Sequence, residues 1–283
     1  MNIILLDREE IIGDLVTLRD HRAEHIVKVL RASQNDRVTV GIINGKMGFG
    51  IIKELETRKP YHVKLKVILD KIPDTAPPLD IMLALPRPIV FKRIISHLTA
   101  LGVNNVHVVN AAKVEKSYWE SSVVRDDGWR SYMREGLEQA VDTRLVAFTF
   151  HRGFRPFIEE VIPAIKNRYA QMLAAHPQSS HDLAKVYRAG KHPVLMAVGP
   201  EGGWNEYELE QMRHYKPDLR ARQEIFFDRD QSELRMMLWK VIHDLDPMNP
   251  NSKDVTEVRV HFSPDPATFA LYTESRRKPR LRI

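Results

Sequence analysis

The pattern of apolar positions changes near residue 73. Before it, hydrophobic side chains alternate with polar ones in short runs. Arg37-Val38-Thr39-Val40-Gly41-Ile42-Ile43 leads into Asn44-Gly45, a pair that tolerates the positive φ of a tight hairpin turn, and residues 49–52 return. Val63, Leu65, Val67 and Leu69 then share one face of a further strand. Ahead of the hairpin, a short helix beginning near Asp20 places Ile26, Val29 and Leu30 on one side. The chain up to about residue 69 therefore reads mostly as β, and a small barrel is the natural way to hide the edges of such strands.

Pro73-Asp74-Thr75-Ala76-Pro77-Pro78 cannot continue a central strand or a helix, so it marks a domain boundary. Beyond it the chain alternates between two periods. Ile81-Met82-Leu83-Ala84-Leu85 is a compact apolar strand, and Phe91, Ile94, Ile95 and Leu98 recur at the spacing of an amphipathic helix that Gly102 can end. Strands over 106–109, 146–150 and 194–198 alternate with helices over about 129–139 and 157–170. This order predicts an α/β domain with a mainly parallel sheet covered on both faces, in which ligands bind beyond the carboxyl ends of the strands. Leu234, Met237, Leu238, Val241, Ile242 and Leu245 share a face of a further helix, whose start Asp230 and Glu233 can cap. The expected division is 1–72, 73–246 and a basic C-terminal extension over 247–283. The end of that extension, Arg276-Arg277-Lys278-Pro279-Arg280-Leu281-Arg282, reads as a disordered, solvated tail or as an added contact to an RNA backbone.

Composition narrows the function classes. With 283 residues, 43% of them hydrophobic and 28% charged, the chain has material for one large or two modest globular domains. No apolar run approaches the roughly 18–20 residues of a membrane span, and the first six residues are too short for a signal peptide, so the expectation is a cytoplasmic protein without a membrane partner. The absence of cysteine removes disulfides, thiolate nucleophiles, cysteine-ligated zinc and iron–sulfur clusters. His21 and His25 are four apart on a helix but have no third ligand or metalloprotease glutamate beside them, so no metal site is expected. The formal net charge of +6 favours a polyanionic partner.

The candidate chemistry lies at the end of the 194–198 strand. It runs from Val198 into Gly199-Pro200-Glu201-Gly202-Gly203, after which Asn205 and Glu208 form a capping-box pattern at the start of a helix containing Leu209 and Met212. Glycines there remove the side chains that would keep a ligand from backbone amides and carbonyls, which suits a flat adenine or a ribose. The turn lacks the lysine and hydroxyl of a phosphate-binding loop and lacks the dinucleotide fingerprint, so a nucleotide-like ligand without a polyphosphate fits better. A tight turn that uses glycine only for its geometry is the competing reading.

Gly199-Pro200-Glu201-Gly202-Gly203-Trp204, followed by an acidic helix, resembles the cofactor loop of the bacterial ribosomal RNA small-subunit methyltransferase E family. His25-Ile26-Val27-Lys28-Val29-Leu30-Arg31 with Asp36 looks like its N-terminal signature. Lys92 with Leu101-Gly102-Val103, and Glu135-Gly136-Leu137-Glu138-Gln139 with Arg144, look like two of its catalytic-domain helices. The matching pieces span residues 18–212 in the right order.

The resemblance implies an N-terminal PUA-like β-barrel that helps to hold RNA, then a SPOUT trefoil-knot domain that dimerises. It also implies S-adenosylmethionine as methyl donor and N3 of a uridine in 16S RNA, within the small ribosomal subunit, as target. On the same analogy Leu173 and Ala174 wall the donor pocket; Val198, Gly199, Pro200, Glu201, Gly202 and Gly203 form its floor; and Leu234 contributes from a last loop. Arg31, Arg144 and Arg235 are the candidates for holding RNA or stabilising charge in the reaction, and no general base is named.

Asp228-Arg229-Asp230-Gln231-Ser232-Glu233-Leu234-Arg235-Met236-Met237 departs from the family pattern. Leu234-Arg235 matches a Leu-Arg pair, but the Thr-Glu-Thr-Ala next to it in the family is missing, and Arg229 offers a second register. Ala100 and Val146 stand where the family usually has glutamate and proline. An RNA-binding protein on a degenerate SPOUT scaffold is therefore the second reading, and a methyltransferase with another RNA target the third.

Overall fold

The computed structural model describes residues 2–175, 187, 193–214 and 224–225, and they build two sheets. The first contains β1 (Ile4–Leu6), β2 (Ile11–Ile12), β3 (Leu15–Leu18), β4 (Arg37–Ile42), β5 (Met47–Glu56) and β6 (His62–Lys71), in the order β1-β4-β5-β6-β3-β2. Asn44 takes φ +54° in the turn between β4 and β5, as the Asn-Gly pair predicts. Ile4 and Leu6 of the edge strand β1 share one buried core with Val16 and Leu18 of β3, near the opposite edge. The sheet must therefore roll around that core, which is the PUA-like barrel.

Asp20 caps the helix His21–Lys28 by accepting the Arg22 N–H at 2.9 Å. The buried Arg22 then binds Glu10 and Asp20 and donates to the Leu5 carbonyl at 2.7 Å. The apolar face of this helix is shorter than its sequence predicts. Only Ile26 of the three expected residues is buried, because the helix stops at Lys28 and leaves Val29 and Leu30 exposed.

The second sheet contains β7 (Leu79–Ala84), β8 (Asn105–Val109), β9 (Ala147–His151), β10 (Gln171–Ala175), β11 (Val194–Val198) and β12 (Glu224–Ile225), ordered β12-β10-β11-β7-β8-β9. Every neighbouring pair is parallel. All positions of the central β7 and β11 are buried, which is why β11 reads as an unbroken apolar run and β7 as one interrupted only by Asp80. Helices Pro88–Ala100 and Trp129–Ala140 pack together so closely that a Cβ on Gly136 would lie 2.4 Å from the Ser96 carbonyl oxygen.

The predicted 157–170 helix is instead a series of short helical turns ending at Arg168, and Gln171–Ala175 is a strand beside β11. Met172, Leu173 and Ala174 favour a helix intrinsically, so it is pairing between β11 and β12 that makes them extended. The helix expected over Leu234 to Leu245 and the 247–283 extension lie outside the described residues, as do the residues that would complete a knot.

The sheets meet at the amino-terminal end of the parallel strands. The Asn44 N–H donates to the Thr143 carbonyl at 2.7 Å, the Thr143 hydroxyl donates to the Gly45 carbonyl at 2.7 Å, and the Leu145 N–H donates to Asn44 Oδ1 at 2.9 Å. Ile3, Leu5 and Met47 pack against Leu137 beside these bonds.

Candidate functional site

Because the six strands are parallel, the loops after them gather at one end of the sheet. The 199–203 turn follows β11 there, closed by the Gly203 N–H donating to the Pro200 carbonyl at 2.7 Å with Gly203 at φ +69°. Two of its glycines lie against close neighbours. A Cβ on Gly199 would lie 3.1–3.3 Å from three atoms of the Trp204 indole, and one on Gly202 would lie 2.9 Å from Lys113 Cδ. Asn205 and Glu208 form the predicted capping box of helix Glu206–His214: the Asn205 N–H donates to Glu208 Oε2 at 2.9 Å, and the Glu208 N–H donates to Asn205 Oδ1 at 2.8 Å.

Neighbouring loops are tied to this turn. Glu201 Oε1 accepts the Arg87 N–H at 3.1 Å, just beyond β7. Past the end of β8, the Ala112 N–H donates to Glu208 Oε1 at 2.6 Å and Lys113 Nζ donates to the Gly202 carbonyl at 2.6 Å. Farther along the same loop, the Tyr118 hydroxyl donates to Glu115 Oε1 at 3.0 Å, and Trp119 Nε1 donates to Asn110 Oδ1 at 2.9 Å. A hydrogen bond with Tyr118 holds the Arg87 guanidinium above its ordinary range. Desolvation, and then the bond to Glu115, push the Tyr118 phenol upward. Arg152, following β9, lies 5.5 Å over the Trp119 ring. The Trp204 indole packs 6.0 Å from Phe154, and its buried Nε1 has no partner among the described residues.

An apolar recess opens on one face of the sheet, lined by Met82, Leu173, Ala174, Leu195, Ala197 and Met212. Leu173 and Ala174 pair in register with Met196 and Ala197, so the predicted wall adjoins the strand that carries Val198 and the 199–203 turn. The predicted donor-site residues that are described thus share one neighbourhood.

The arginines do not join them as a group. Arg144 precedes β9 at the opposite end of the sheet, where it donates to the Asp74 carbonyl at 2.6 Å and to Asp142 Oδ2 at 3.1 Å. Arg31 is exposed at φ +51° in the first sheet's domain, three residues past the helix His21–Lys28. Leu234, Arg235 and the alternative Arg229 lie outside the described residues. Among the described residues there is no cluster of three metal-ligating side chains and no helix long and apolar enough to cross a membrane.

Lys113, Arg87 and the second bond of Glu208 escape the sequence reading. The only signal for the first two is position, since each stands a few residues past the carboxyl end of a strand.

Two family models match the chain: an RNA methyltransferase PUA domain over residues 18–66 and an RNA methyltransferase domain over 74–218. Ribosomal RNA small subunit methyltransferase E of Treponema pallidum is 32% identical over 211 residues, covering 74% of this chain and 78% of that protein. Ribosomal RNA small subunit methyltransferase E 1 of Borreliella burgdorferi is 26% identical over 219 residues, covering 76% of this chain and 87% of the relative. Among solved structures, the ribosomal RNA small subunit methyltransferase E of Neisseria gonorrhoeae, bound to S-adenosyl methionine, superposes with a TM-score of 0.63 at 18% identity. That match covers 86% of this chain and 95% of the other.

Proposed function

Because the chain belongs to the ribosomal RNA small subunit methyltransferase E family, we propose that it is an S-adenosylmethionine-dependent methyltransferase that modifies N3 of a uridine in 16S RNA. The observation that carries this reading is the glycine turn at the carboxyl end of β11, strapped by the loops after β7 and β8, with an apolar recess against the strand that leads into it. The residues present fit the donor. Glycines at 199 and 202 let Trp204 and Lys113 close against the turn, and the recess beside β11 offers apolar surface for the donor.

The donor supplies an activated methyl group. The chain's residues must place it in line with N3 and keep competing water away. Transfer breaks the donor's S–CH3 bond, forms N3–CH3 and releases the N3 proton to solvent or a base, so cationic side chains that stabilise the charge left over O2 and O4 aid it; Arg31 and Arg235 are the candidates for this and for RNA contact. We assign Arg144 to the joint between the sheets, since its guanidinium is engaged by Asp142 and Asp74. Residues 1–72 hold RNA, 73–246 carry the reaction and 247–283 form a basic extension. The working species is a homodimer acting on the small ribosomal subunit, with the target base unstacked to expose its edge.

The test incubates the protein and labelled donor with small subunits from a strain lacking its own enzyme, then maps the labelled base. Label on a uridine N3 supports the reading, and label elsewhere redirects it. The missing Thr-Glu-Thr-Ala after Leu234-Arg235 keeps the RNA-binding scaffold as a second reading, which requires no donor binding by calorimetry at millimolar concentration.

A further inference from the structure

The carboxyl ends of β8 and β11 are separated by β7, so their loops meet only by reaching across its end. Two side chains make that connection. Lys113 Nζ donates to the Gly202 carbonyl at 2.6 Å, and its alkyl chain occupies the space beside Gly202, where a Cβ would lie 2.9 Å from Lys113 Cδ. Glu208, 2% exposed, accepts the Ala112 N–H on one carboxylate oxygen and the Asn205 N–H on the other. Residues 112 and 113 are thereby tied to the glycine turn and to the helix that follows it.

The Gly202 carbonyl and the Gly203 N–H belong to one peptide unit. Lys113 holds the carbonyl, and the Pro200 carbonyl accepts the N–H at 2.7 Å. With glycine on both sides, sterics do little to stop this peptide from turning over, so the two hydrogen bonds must fix its plane. We propose that Lys113 is a positioning residue for the methyl donor, a role that rests on the donor-site reading of the glycine turn. It locks the Gly202–Gly203 peptide and so sets which backbone groups of the turn face the donor.

The test compares the full chain with Lys113→Met, which keeps most of the length and loses the charge, and with Lys113→Arg. Lys113 is exposed, so the Met variant should unfold at an unchanged temperature without donor. It should also exchange the Gly203 amide hydrogen faster and bind S-adenosylmethionine about tenfold more weakly by calorimetry, the effect of one hydrogen bond from a charged group. In turnover, the loss should appear in KM for the donor rather than in KM for RNA, and Lys113→Arg should recover most of it.

Glu208→Gln turns an amide NH2 toward one of two backbone donors. It should weaken donor binding similarly and also lower the unfolding temperature. Wild-type donor affinity and wild-type Gly203 exchange in Lys113→Met would overturn the inference. If the unaltered protein binds no donor, the functional reading fails instead, and Gly203 exchange still reports whether Lys113 holds the turn.

Discussion

Arg144 and Lys113 carry the same charge at opposite ends of one sheet, and their partners separate their roles. Arg144 is three-quarters buried and joins Asp142 to the Asp74 carbonyl, steadying the proline-rich segment between the sheets. Arg144→Ala should cost about 1–2 kcal/mol, a value discounted for the partial exposure of the pair, and lower the unfolding temperature by a few degrees. Donor affinity, measured by calorimetry, should stay within about twofold, since the bonds lost do not touch the turn. Weaker donor binding at unchanged stability would return Arg144 to the reacting centre. The glycine turn is legible in the sequence because strand, glycines and capping box are contiguous. Lys113 is not, because its partner Gly202 is 89 positions away and a lysine after a strand has no distinguishing pattern. Glu208 is half legible: its local bond to Asn205 follows from spacing, while its bond to Ala112 depends on the fold.

Among the elements, burial decides which strands announce themselves. β7 and β11 are enclosed on both faces and show as apolar runs, whereas β10 carries Met, Leu and Ala and is extended only because β11 and β12 flank it. β8 and β9 contribute a polar row that has a measurable consequence. His107 Nδ1 lies 2.9 Å from the Thr149 hydroxyl, and His151 packs 5.6 Å from His107 and 4.6 Å from Phe157. Desolvation holds both imidazoles below their ordinary range; on His107 the neighbouring His151 and, more weakly, Arg168 act in the same direction, and Asp80 opposes them. A depressed folded pKa stabilises the protein above the unfolded value near 6.5, and that stability is lost as pH falls through the folded values. Chemical denaturation should therefore show a falling midpoint from about pH 7 to about pH 5. His107→Asn should flatten this slope, and an unchanged slope would assign it to other groups.

At the scale of the whole molecule, the barrel and the parallel sheet are joined through a contact with almost no free space. Neither the alternation that predicts β4 nor the turn chemistry of Asn44-Gly45 reveals that this hairpin is also the joint. Asn44 bonds both Thr143 and Leu145, and Thr143, fully buried, bonds Gly45. Gly41 faces the same place: a Cβ there would lie 2.3 Å from Thr143 Cγ2 and 3.0 Å from Ile3 Cδ1. Gly41→Ala should consequently destabilise the chain by about 1–3 kcal/mol through overpacking. Thr143→Ser alone should cost about 1 kcal/mol for the lost buried methyl while keeping the hydroxyl bond to Gly45. Combined, the two changes should cost less than their sum, because Thr143→Ser removes the methyl that the new Cβ would meet. Urea unfolding of the four proteins measures this coupling directly. Simple additivity would mean that the barrel can shift against the sheet without resistance, and the joint would then not fix the distance between the barrel and the glycine turn.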